Sequence, residues 1–230
     1  GGTVYKDMNG KKSTENISQL ALANVDYDMQ NRHHVSYNFM MIHANTQSVG
    51  DYNGKNSIFS DDHENLGFTR RQQTNDNLLI VNQLMTNWGL TKSISLDAGA
   101  SYNIVKGYEP DRRINNLTKA ENGYTLLRGN SQQRYFSALD ENDLNVRAGL
   151  VYRLKDNIEE ISNIRLGYTG RFVDDNFKAT EYNLTVGHVS TVPSLDDFSL
   201  DDYYNQENLS SGWFEIQKNL DEYTVCLLYT

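Results

Sequence analysis

The 230-residue chain holds 30 acidic against 21 basic side chains, a net charge of −9, with 38% apolar and 11% aromatic residues. That balance leaves no basic footprint for nucleic acid, and the lone Cys226 excludes a disulfide framework or a paired-cysteine metal site. Apolar runs such as Phe39–Ile42 and Leu78–Val81 stop after four residues, whereas a transmembrane helix needs roughly 20.

Helical patterning is nearly absent. Alternation with period two recurs instead, in segments of about ten residues, as in strands with two unlike faces. The first segment, 18–27, sets Ala21, Ala23, Val25 and Tyr27 against Ser18, Asn24 and Asp26. A tight polar turn at 28–32 leads to 34–43, where Val35, Tyr37, Phe39 and Met41 alternate with His34, Ser36, Asn38 and Met40. Segment 77–88 places Leu78, Ile80, Leu84 and Trp88 on one side, with Val81 and Asn82 breaking the rule. After the turn at 89–93, segment 94–104 runs Ile94, Leu96, Ala98, Ala100, Tyr102, Ile104 against Ser95, Asp97, Gly99, Ser101, Asn103. Segments 143–152 and 163–172 follow the same rule, with Leu144 to Tyr152 and Ile164 to Phe172 on their apolar sides. A partial seventh strand is expected at 223–230.

Between these hairpins lie long polar stretches, 44–74, 105–142 and 173–212, expected as loops. Loops beyond about 15 residues are uncommon in compact domains. Here they alternate with short turns, so all emerge at one rim. Short turns on one rim and long loops on the other describe an outer-membrane β-barrel. Tyr27, Trp88 and Tyr152 end the apolar faces near the short turns, and Phe39, Tyr102 and Phe172 stand near the other end, as interfacial girdles would. The expected fold is therefore all-β: an antiparallel up-and-down sheet forming part of the wall of a large transmembrane barrel. Six strands with a partial seventh fall below the eight or so that close a bacterial barrel. The whole of 1–230 is thus expected to be one incomplete barrel segment, without a start methionine or signal sequence before Gly1.

Several phrases carry a family resemblance: Tyr37–Asn45, Gly67–Asn77, Gly107-Tyr108-Glu109-Pro110-Asp111-Arg112-Arg113, and Gly167–Phe177. Together they resemble the barrel of TonB-dependent outer-membrane receptors, in the Tyr- and Asn-rich style of Bacteroidetes. The resemblance implies a cell outer-membrane location among lipid and lipopolysaccharide, a plug inside a 22-stranded barrel, and energising contact with the TonB complex through N-terminal parts. It also implies active uptake of a large nutrient such as an iron chelate, cobalamin or glycan, with no chemistry on the substrate and no cofactor. Alternatives are a passive porin-type barrel and a secreted, carbohydrate-binding β-sandwich.

Enzyme signatures (HExxH, GxSxG, Walker A, GxGxxG) are missing, and the histidines lack metal-ligand spacing, so neither an enzyme nor a metal site is expected. The acidic clusters, among them Asp61-Asp62 and Asp174-Asp175, read as solvated loop charge. Two phrases set an aromatic residue beside paired arginines: Phe68 with Arg70 and Arg71, and Tyr108 with Arg112 and Arg113. Aromatic faces stack on sugars or cofactor rings and Arg forks grip carboxylates or phosphates, which makes these six residues the ligand-binding candidates. Locking of loops to one another is the competing role. Asp97, Arg147, Arg165 and Arg171 fall on the polar parity, where cross-strand pairing is expected.

Overall fold

Alternation of this kind needs a neighbour for every backbone N–H and C=O, and an antiparallel ladder supplies it. The computed structural model describes residues 5–29, 32–59, 64–157, 160–188, 191–192, 195 and 203–220. It is an all-β chain built on one antiparallel sheet. Six long strands run up and down: β1 (Lys6–Met29), β2 (His33–Asn56), β3 (Leu66–Gly89), β4 (Ile94–Ala120), β6 (Gly129–Asn157) and β7 (Glu160–Val186). Three short ones, β5 (Gly123–Leu126), β8 (Thr191–Val192) and β9 (Phe214–Leu220), and a single-turn helix α1 (Gln206–Ser210) gather at one end. The path across the sheet is β1-β2-β3-β4-β6-β7-β9, and β5 pairs with both β4 and β8.

The expected long loops require correction. Strands of 24 to 29 residues occupy most of 44–74 and 105–142 and the first part of 173–212. The polar stretches still pair, because the ladder does not depend on what the side chains are; once both faces meet water, alternation disappears from the sequence while the strand continues. Residues 223–230 lie outside the described residues.

Register assigns each side chain to a face. One row across the sheet reads Val25, Tyr37, Leu84, Ala100, Val146, Gly170; the next toward the short turns reads Tyr27, Val35, Thr86, Ala98, Ala148, Tyr168. On β4 the apolar run from Ile94 to Ile104 covers about 33 Å of strand before Lys106, which pairs with Asp140 at 3.3 Å. The band slants. Tyr27, Trp88 and Tyr152 each stand one row lower than the last for every two strands crossed, as do the top residues Leu78, Ile104 and Leu144 over single strands. For the lower edge, two residues of rise over two strand spacings correspond to an inclination of about 35°. Asn82, a polar residue within the band, accepts the Tyr37 hydroxyl at 2.8 Å and donates to the Tyr102 carbonyl at 3.4 Å.

Near the far end, β4 carries a bulge between Glu109 and Arg112 relative to β6, and the β3 register shifts at the same level. Pro110 sits in it, where its missing N–H deprives no ladder position. Above Ile114–Gln133, β5 replaces β6 beside β4, with Leu126 opposite Leu117. A small core forms there: Phe68, Leu117, Leu126, Leu184, Val186, Tyr203 and Phe214, with Trp213 and Leu209 against it. The Tyr203 hydroxyl donates to the His188 carbonyl at 2.6 Å.

Gln132, wholly buried, stands in for the missing strand. Its Oε1 accepts the Asn116 N–H at 2.9 Å and its Nε2 donates to the Asn116 carbonyl at 2.7 Å. Gln132→Leu should orphan that N–H and cost about 1–3 kcal/mol. Hydrogen exchange should quicken around Asn116 and Leu127 while the lower sheet stays protected; unchanged exchange at Asn116 would count against the anchoring role.

Candidate functional site

The bulge decides which way the charged residues of the far end point. Below it the even positions of β4 share the apolar face; above it the odd ones do, since one extra residue reverses the alternation. Acids and cations are sorted accordingly. On the face continuous with the apolar band, Asp51 takes both Arg70 bonds, at 2.8 and 2.9 Å. On the same face Asp111 is held between Arg113 and Arg134. Burial pulls the Asp111 carboxyl upward, but hydrogen bonds and charge from Arg134 and then Arg113 outweigh it and leave it below the ordinary carboxylate value. Arg70 also lies 5.5 Å over the Phe68 ring.

The opposite, polar face carries the other arginine of each pair. Arg112 stacks 4.2 Å over Tyr135 and reaches Glu109 at 3.7 Å. Glu109 is 9% exposed, and among the described residues neither its Oε1 nor Arg112 Nε has a hydrogen-bond partner. Arg71 donates to Gln73 at 3.2 Å and makes no ion pair among the described residues. It lines an open cleft of about 750 Å³ with Lys6, Asp7, Tyr52, Asn56, Thr69 and Asn116.

Of the six candidates, then, Phe68 is a core residue rather than a stacking platform, and Arg70 and Arg113 hold the sheet together through carboxylates. Tyr108 is exposed on the other face from Arg112. Arg71 opens onto the cleft beside Tyr52, with Arg112 on its face, whereas Arg113 lines a second cleft together with Asp111 and Glu15. Sequence reading missed Tyr52 and Lys6. Tyr52 sits in a stretch expected to be loop and Lys6 ahead of the first expected strand, and the signal that places them, two-residue spacing from Gly50 and Gly54 and from Met8, is visible only once the strand is known.

Lower on the polar face, Arg171 pairs with Asp143 at 3.1 Å and Arg147 approaches Asp97 at 3.9 Å, while no ion pair of Arg165 is found among the described residues. The girdle residues Tyr27, Trp88, Tyr152, Tyr102 and Phe172 are all exposed on the apolar band. Trp88 stacks on His33 at 4.7 Å, and the Tyr102 hydroxyl donates to Asn142 at 2.9 Å. No group of three or more metal-ligating side chains occurs among the described residues. No protein-family model matches the chain, and no curated protein matches it.

The Asp111 cluster carries a pH signature. Its depressed carboxyl contributes stability fully above the unfolded value of about 3.9, and that contribution is lost as pH falls through the lower folded value. The difference in urea midpoint between the native chain and Asp111→Asn should be open at pH 7 and close progressively below pH ~4. A gap that persists unchanged to pH ~2 would assign the effect to shape, not charge.

Proposed function

We propose that the chain forms barrel wall of a TonB-dependent outer-membrane receptor that imports a large nutrient. The observation that carries this reading is the slanted apolar band. Its height of about 33 Å along the strand, inclined by about 35°, projects to roughly 27 Å, close to the roughly 25 Å apolar belt of such barrels. The inclination of the lower edge falls at the strand tilt of about 35–45° that barrels adopt, and the upper edge slants the same way more steeply.

Exposure of the band supports a lipid contact over a sandwich core. Leu166 is 75% and Tyr168 64% exposed, and no second sheet lies over them among the described residues. A sandwich would bury this face against a partner about 10 Å away. Lipid offers no hydrogen bonds, so the pairing of Asn82 with Tyr37 and Tyr102 suits a lipid-facing position. Aromatic residues mark both edges of the band. Beyond it the strands run on for ten or more residues as a wet, two-faced polar wall outside the membrane.

In this reading the far end meets the nutrient, and energy delivered through TonB to a plug drives release into the cell. The wall performs no bond chemistry. TonB dependence rests on the resemblance of Tyr37–Asn45, Gly67–Asn77 and Gly167–Phe177 to that family.

Val146→Arg, in the middle row of the band, should cost about 2–4 kcal/mol in the folded barrel. Asn145→Arg, one residue away on the polar face, should be nearly silent. Folded protein, read by its altered gel mobility before boiling, reports the difference; equal damage at both sites would sink the face assignment. In-cell photo-cross-linking of the intact protein to TonB separates a receptor from a passive porin, which should give no adduct.

A further inference from the structure

We infer that the basic cleft beside Tyr52 binds a carboxylate-bearing saccharide, with Arg71 gripping the carboxylate and Tyr52 stacking on the sugar ring. Charge sorting carries the first part. In the far segments of β1 to β4, Asp7, Glu15, Asp51, Asp76 and Asp111 fall on the face of the apolar band, where Lys11, Lys55, Lys119 and the arginines that pair with Asp51 and Asp111 offset them, and Asp7 also lines the cleft at its edge. Lys6, Lys12, Arg71 and Arg112 fall on the other face, and the one acid there, Glu109, faces Arg112. In a chain of net charge −9, this face of the far end thus carries an excess of cations over acids. Such a surface raises the local concentration of an anion.

Geometry narrows the ligand. The cleft, about 750 Å³, has the volume of a small-molecule site. Tyr52 is laid across two glycines: a Cβ at Gly10 would come within 2.3 Å of its ring and one at Gly50 within 2.8 Å. The ring is therefore seated before any ligand arrives, which lowers the ordering cost of stacking. Arg71, which among the described residues is bound only to Gln73, keeps donors for the bidentate geometry that a carboxylate matches. Asn56 and Thr69 add amide and hydroxyl groups of the kind that meet sugar hydroxyls.

The inference rests on the polar face lining the channel of the proposed barrel, and the two can fail separately. Digalacturonate and its neutral counterpart, a galactose disaccharide, are titrated calorimetrically into the intact protein in detergent. Digalacturonate should bind, the neutral sugar at least about tenfold more weakly. Arg71→Gln should erase that preference, Arg71→Lys should restore it in part, and Tyr52→Ala should weaken both sugars. Arg70→Gln, on the opposite face, should leave binding unchanged. Protein that shows the folded-barrel gel shift yet binds neither sugar, or an Arg71→Gln variant that binds like the native chain, overturns the inference alone. Digalacturonate binding by protein that is water-soluble and shows no gel shift would uphold the cleft and overturn the barrel.

Discussion

Register is the constraint from which the other features descend. Each long strand is hydrogen-bonded along most of its length to a neighbour of similar length, so the face taken by one side chain fixes the faces of all the others across the sheet. The apolar band exists because Leu84, Ala100 and Val146 share a row, and the basic cleft exists because Lys6, Tyr52 and Arg71 share a face. Individual ion pairs at the surface add little by comparison. Their service is to pin the register: Arg70 lies directly opposite Asp51, and Lys106 opposite Asp140.

Legibility in the sequence follows the chemistry of the two faces. Where one is apolar and the other wet, as along Ile94–Ile104, alternation is plain and the strands can be read. Where both are wet, as at Gln47–Asn56 or Gln72–Asn75, the same backbone conformation leaves no periodic trace. The site was hidden for that reason. Arg71 stands out because two arginines in a row are conspicuous, but its separation from Arg70 onto opposite faces follows from strand geometry, which a loop reading does not contain. Phe68 misled in the same way: an aromatic beside arginines suggests a platform, yet its partner across the sheet is Leu117 and it is buried.

The small core at the far end uses a different economy. It is stitched together from distant parts of the chain, Phe68, Leu126, Leu184 and Phe214, around the hydroxyl of Tyr203. No local period announces such a cluster. Gln132 shows how the sheet tolerates it: where β6 leaves β4, one side-chain amide presents the donor and acceptor that the departing backbone withdrew.

The bulge at Pro110 makes the response of β4 to chain length uneven in a way that composition does not reveal. Point substitutions there change one side chain. Deleting a single residue at 110 or 111 would close the bulge, giving Glu109 and Arg112 the two-residue spacing of Ser137 and Tyr135 and leaving Arg112 on the polar face and Arg113 on the band face. Across β4, therefore, chain-length variation should be accepted in twos within the regular ladder and singly at the bulge, where one residue can leave without turning either the membrane-level wall or the rim above it.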